Sequence, residues 1–194
     1  RPRLGRAVVC IRCTRAGPGL PVTPTRTDIQ VALDRLDRAA LTDRRWFGAK
    51  VRTIQRLDLD EAFILDEAAP HVLAVTTLTL DDGTRQRYQF ALTGEGGVGT
   101  SLREATPGDG AWRALAVAMA QGRTVPALRR DPDDPTITAA LVCRPGPAMP
   151  DTGPGTERDP GTDQSNTIVV LGDAVLQKAY RRLQPGLNPD LEMT

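Results

Sequence analysis

Hydrophobic side chains near the front of the chain recur at helical spacing: Ile29, Leu33, Leu36 and Ala40 form one stripe, and Asp34, Arg35, Asp37 and Arg38 fall mostly outside it. That pattern predicts a helix over about 28–41, capped by Thr27 and Asp28. The period then falls to two. Extended segments are predicted over 51–59, 62–66 and 71–80, the last with Val72, Ala74, Thr76, Leu78 and Leu80 on one face. Asp81-Asp82-Gly83 is a hairpin turn signal, and the return strand over 84–92 sets Tyr88, Phe90 and Leu92 opposite Arg85, Arg87 and Gln89. Residues 28–92 therefore read as a helix laid on an antiparallel sheet. A second helix, over about 110–121, is capped by Asp109, carries Trp112, Leu115 and Met119 on one core-facing side, and stops at Gly122.

Beyond it the pattern fades and returns. Pro132 and Pro135 precede a β-branched, apolar run over 136–143, expected as a buried strand, and 144–163 is so rich in Pro, Gly, Asp and Thr that it reads as loop or linker. Thr167 to Leu171, a Gly172-Asp173 turn and a second strand over 174–181 predict a hairpin with Lys178 inside its second strand. Residues 181–187 read as a loop. Asn188 then supplies an N-cap and Pro189 a first helical position, starting a helix with Asp190 and Glu192 in its first turn. The sequence stops at Thr194, inside that turn, and is read as truncated at its C-terminus. Glycine-rich Glu95-Gly96-Gly97-Val98-Gly99 has no lysine after it and no strand-loop-helix frame, so it is a plain flexible loop.

Composition changes this picture at a few points. The 25 Lys+Arg against 24 Asp+Glu leave +1 overall, so no nucleic-acid partner is expected. Residues 1–27 hold six arginines and no acid, which makes them a basic tail, expected to be disordered, ahead of one unit over 28–125 and a second over 126–194. No apolar run approaches the roughly 20 residues of a spanning helix, and no membrane partner is expected. Three cysteines cannot pair completely, and neither Cys10 with Cys13 nor the single His71 completes a four-ligand zinc site. No bound metal is expected from these residues, and a reducing, cytoplasmic setting fits them best. Lys50 and Lys178 are the only lysines, so each invites a reason.

The candidate chemistry lies late in the chain. Gln164-Ser165-Asn166-Thr167 is a run of small polar residues entering a strand, a turn of the kind that can aim N–H groups and hydroxyls at phosphate oxygens. After it come a strand, a tight turn, a strand with a mid-strand lysine, a loop, and a helix with an early glutamate. That is the order of parts in a kinase-type N-lobe, where the lysine holds the α- and β-phosphates and the glutamate orients it by an ion pair. The fold class read from the whole pattern is α+β: an antiparallel sheet with packed helices, followed by a partial protein-kinase-like N-lobe. A half-buried Lys178 would need such counter-charges to stay ionised. Spacing alone also fits an edge-strand lysine reaching water beside an ordinary helix-capping Glu192.

Asp163-Gln164-Ser165-Asn166-Thr167, Gly172-Asp173, Lys178-Ala179-Tyr180-Arg181-Arg182 and Pro185-Gly186-Leu187-Asn188-Pro189-Asp190-Leu191-Glu192 resemble the N-lobe signature of bacterial maltokinases. These are relatives of aminoglycoside phosphotransferases that also occur fused to trehalose synthase. Arg44-Arg45-Trp46-Phe47-Gly48-Ala49-Lys50 resembles the arginine-tryptophan-aromatic motif of the same family's N-terminal cap domain, so the resemblance covers about 28–194. It implies ATP-dependent phosphorylation of maltose at its anomeric hydroxyl, giving maltose 1-phosphate for α-glucan synthesis, with magnesium as metal and fusion to or association with trehalose synthase. By the same resemblance Gln164, Ser165, Asn166 and Thr167 form the loop over the phosphates, Lys178 binds phosphate and Glu192 is its ion-pair partner. The proton-accepting aspartate and the magnesium ligands are implied to lie beyond Thr194, so the fragment itself is expected not to catalyse. The motif around Trp46 is expected to pack the cap against the N-lobe rather than to touch substrate. Asp163 replaces a common glutamate, Ile168 replaces a common serine and so removes a hydroxyl beside the loop, and 144–162 lacks a clear first strand. A related sugar kinase such as a glucosamine kinase, and a stand-alone binding or adaptor module, are the alternatives.

Overall fold

A computed structural model describes residues 23–66, 69–94, 101–131, 133, 139–145, 155–161, 166–173 and 175–184. The first helix, α1 (Arg26–Asp34), opens at Thr25 and not at Thr27 or Asp28. The reason is a capping box: the Thr25 hydroxyl accepts from the Asp28 N–H while the Asp28 carboxylate accepts from the Thr25 N–H at 2.8 Å. The helix expected to reach 41 breaks, because Asp37 turns extended and its carboxylate accepts from the Ala39 and Ala40 N–H groups, starting α2 (Arg38–Asp43). An aspartate satisfies helix-end donors better than it tolerates a helix interior. At the far end of α2 the Lys50 ammonium donates to the carbonyls of Thr42, Asp43 and Arg44 at 3.1, 3.0 and 2.6 Å, which accounts for one of the two lysines.

The two extended segments expected over 51–66 form one strand, β1 (Ile54–Asp66), interrupted by three register shifts rather than by a turn. With β2 (His71–Leu80) and β3 (Arg85–Gly94) it makes an antiparallel meander; β4 (Leu102–Glu104) and β10 (Arg182–Leu183) share the outer edge of β3. On one face Ile29 and Leu33 of α1 pack with Leu57, Val72, Leu78, Tyr88, Phe90 and Leu92. On the other lie α3 (Ala111–Ala120) and the short pair β5 (Thr124–Pro126) and β6 (Ala140–Val142), with Leu73 and Val75 packed among Phe63, Val125 and Ala127. Strand β2 is therefore covered on both faces, and its expected one-sided stripe describes only half of its core.

Three further expectations change. Asp109 does not cap α3: the N-cap is Gly110 at φ 94°, and Asp109 accepts instead from Arg103 and Thr106. The run expected as a buried strand over 136–143 forms, where described, the short strand β6, with Ala140 and Val142 exposed, the latter 60% accessible, Leu141 half-buried and Cys143 beyond it buried; residues 136–138 lie outside the described set. The segment expected to lack a first strand contains β7 (Glu157–Arg158), which pairs with β8 (Thr167–Leu171), itself paired with β9 (Val175–Ala179). Gly172 makes the β8–β9 turn at φ 57°, a value open to glycine at little cost. β9 ends at Ala179, short of the expected 181, and Arg182–Leu183, expected in a loop, join β3 opposite Tyr88 and Arg87. The helix expected from 189 and residues 1–22 of the tail expected over 1–27 lie outside the described residues; of the rest, Thr25 caps α1 and Arg26 donates to the Leu59 and Asp60 carbonyls. Among the described residues the architecture is mostly antiparallel sheet with a few helices, compatible with α+β, and no helix is long and apolar enough to cross a membrane.

Candidate functional site

The ribbon β7–β8–β9 meets the main sheet through Arg181. This residue is 5% exposed, and its guanidinium pairs with Glu104 at 2.9 Å while lying 5.3 to 5.8 Å from the rings of Trp112, Trp46 and Phe90. Its Nε donates to the Thr167 hydroxyl oxygen at 2.6 Å, and its carbonyl accepts from the Gln89 N–H at 2.8 Å. Burial pulls the proton affinity of Arg181 below its ordinary value, Glu104 opposes that shift, and the nearby like charge of Arg44 adds to it. Three aromatic faces and one carboxylate take over the work of the missing water.

Trp46 and Phe47 fix the turn after α2. Phe47 is buried and stacks on Tyr88, whereas Trp46 crosses both Tyr88 and Phe90, with centroids 5.6 and 6.1 Å away. Side chains before and after this pair point elsewhere: Lys50 locks α2, and Arg44 and Arg45 are exposed.

Between this turn and the start of β8 lies a cleft of about 490 Å³. Arg44, Arg45 and Trp46 form one wall, Asn166, Thr167 and Ile168 another, and Glu104 to Pro107, Asp159, Gly161 and Arg181 complete it. Two of the six expected site residues, Asn166 and Thr167, thus meet in one cleft. Lys178 does not line it. Directly opposite Ile168 in the ribbon, it is exposed rather than half-buried, and its ammonium stands 4.7 Å from the Tyr180 ring centroid. Val169, Leu171 and Ala179 fill the inner face of the ribbon, and no described element covers the outer one, where Leu176 is 63% exposed. Gln164, Ser165 and Glu192 lie outside the described residues, so the expected Lys178–Glu192 ion pair does too.

Sequence reasoning missed Glu157. Its carboxylate accepts from the N–H groups of Gly108 and Gly110 at 2.8 and 3.0 Å and from that of Arg113, capping α3 from a strand 44 residues away. An acid within a Pro/Gly-rich stretch gives no local sign of such a role. Arg181 and Glu104 were equally hidden, since neither belongs to a motif that announces a buried pair. His71 is likewise placed by tertiary structure: it is 8% exposed, its Nδ1 lies 3.1 Å from the Thr93 hydroxyl, and burial lowers its proton affinity from the ordinary 6.5 against the pull of Asp66, Glu157 and Asp109. No group of three or more His, Cys, Asp or Glu side chains among the described residues could hold a metal ion.

The cleft sits where the β1–β4 sheet, with its helices, adjoins the ribbon. Residues 41–124, from the middle of α2 to the first residue of β5, match the family model described as the maltokinase N-terminal cap domain, and it is to that cap domain that this part of the chain is similar.

Proposed function

We propose that this chain is the cap and part of the N-lobe of an ATP-dependent sugar kinase of the maltokinase type, acting in the cytoplasm on maltose to give maltose 1-phosphate. The observation that carries the reading is the match over 41–124 followed along the chain by a three-stranded antiparallel ribbon, β7–β8–β9, with a polar run before its second strand and a lysine in its third.

In this reading the described residues have separate tasks. Asn166 and Thr167 offer an amide and a hydroxyl to phosphate oxygens at the head of β8, and the exposed ammonium of Lys178, on the ribbon's outer face, holds the α- and β-phosphates. Glu192 orients that lysine. Arg181 fixes Thr167 from the inner face, so the hydroxyl is held in place before nucleotide arrives. Magnesium, when bound with ATP, neutralises charge developing on the transferred group. The described residues contain no cluster to hold it, and none of the tasks above passes through it. A proton-accepting aspartate is also required by the chemistry and is not assigned to any residue here.

The test is acceptor competition. The full-length protein, given ATP with maltose or glucosamine and followed by phosphorus NMR, is expected to form maltose 1-phosphate. Phosphorylation of glucosamine alone would reassign the substrate, and no transfer to either sugar would remove the kinase reading.

A further inference from the structure

We infer that Tyr180 is a positioning residue for Lys178: the face of its ring holds the ammonium on the open side of the ribbon, ready for the α- and β-phosphates of a nucleotide. The inference rests on the kinase reading, which leaves Tyr180 without a task.

Spacing and contact agree. Lys178 and Tyr180 are two positions apart, and residues at that spacing along extended backbone point to the same side. The Lys178 ammonium lies over the Tyr180 ring at 4.7 Å from its centroid, inside the roughly 6 Å over which the negative ring face attracts a cation. The ring is held in its turn by the backbone that carries it. Pairing within the ribbon ends at Ala179, opposite Thr167, and one residue further on the main sheet takes over. The Gln89 carboxamide donates to the Tyr180 carbonyl at 2.8 Å, and the Gln89 N–H donates to the Arg181 carbonyl at 2.8 Å. Two hydrogen bonds from one residue of β3, followed directly by the buried Arg181, leave the half-buried Tyr180 little room to swing.

A ring face does for this lysine what a carboxylate in the same place would not. The lysine stem is long and flexible, and an exposed one samples many rotamers that are given up when its ammonium is fixed on phosphate. Resting on a ring selects among them beforehand. The ring carries no net charge, so it orients the ammonium without cancelling the positive charge that phosphate is to meet, whereas a carboxylate in contact offsets the charge it orients. The ammonium has three N–H donors, and contact with one ring face leaves donors for phosphate oxygens. Because the ammonium meets the ring face, phenylalanine would serve as tyrosine does and an aliphatic side chain would not.

The contact is tested first. Lys50 and Lys178 are the only lysines of the chain, so carbon-13 labelling at lysine Cε gives two signals by NMR, one of them an internal reference. The Lys178 ε-methylene protons should be shifted upfield by the ring in the parent and in Tyr180→Phe, and the shift should be lost in Tyr180→Leu. No upfield shift in the parent would overturn the inference, and that reading stands even where Tyr180→Leu fails to fold. Turnover of ATP and maltose by the full-length protein is the second measurement. Tyr180→Leu should lower kcat/KM for ATP by about two- to thirtyfold with the KM for maltose unmoved, and Tyr180→Phe should recover the loss. In a Lys178→Ala background Tyr180→Leu should cost nothing further, since a residue that acts through Lys178 has no route left without it. Equal losses in both backgrounds, or full turnover in Tyr180→Leu, would overturn the inference and leave the kinase reading in place. No turnover by the parent would remove the kinase reading and the inference with it.

Discussion

Arg181 is a charge the fold has taken out of water, and the two ends of its ion pair are unequally placed: its side chain is 6% exposed and that of Glu104 24%. Removing the carboxylate strands a cation among three rings, whereas removing the cation leaves a carboxylate that can still reach water. Glu104→Gln should therefore destabilise by about 3 kcal/mol, and Arg181→Met, which refills the aromatic cage, by clearly less. Urea denaturation of the two variants checks the order, and a reversed order would contradict the account of this pair. His71 makes a prediction of opposite chemical sense. Because burial holds it neutral, the unfolded chain takes up a proton first as pH falls, so its contribution is complete above about 6.5 and drains away below that value. Stability measured between pH 8 and pH 5 should fall more steeply in the parent than in His71→Gln, and parallel curves would show that the imidazole is not protected. At this scale little was legible beforehand. The scarcity of lysine flagged Lys50, and the reason proved to be three carbonyls at a helix end. Arg181 looked like one arginine among many, since a buried cation is recognisable only from the rings and the acid that surround it.

Helix α3 shows how an element is completed from elsewhere. It begins at Gly110 with no side-chain cap of its own, and the carboxylate of Glu157 accepts from the N–H groups of Gly110 and Arg113 in its first turn. Negative charge at a helix N-terminus stabilises through both hydrogen bonds and the helix dipole. Glu157→Ala should cost about 1–2 kcal/mol and speed amide hydrogen exchange in the first turn of α3 and in β7 together. Faster exchange in β7 alone would show that the two elements are not coupled. Elements with a sustained period were legible in the sequence: the alternation over 71–80 matches the observed ends of β2, and the helical stripe over 110–121 matches α3 to within a residue at each end. The meander was readable because Asp81-Asp82-Gly83 announces its turn. The break at Asp37 was hidden because the hydrophobic stripe runs through it, and β5 and β7 were hidden because two or three residues cannot display a period, whereas β6 falls inside the run expected as a strand over 136–143.

For the whole molecule, the chain after the ribbon returns to the cap-like sheet: Arg182–Leu183 extend β3, and Arg181 ties Thr167 to Glu104 on the way. The polar run and the cap motif were separate signals in the sequence, 114 residues or more apart, and only the folded sheet edge brings Arg44 to Trp46 opposite Asn166 and Thr167 across a cleft. The functional account depends on the ribbon as a phosphate-binding unit whose lysine stands on the open face. The most direct measurement is turnover of ATP and maltose by the full-length protein, parent against Lys178→Ala, with circular dichroism confirming the fold of both. The account predicts a loss of at least about two orders of magnitude in turnover with the cap still folded; turnover unchanged in Lys178→Ala would contradict it and leave that lysine a surface residue.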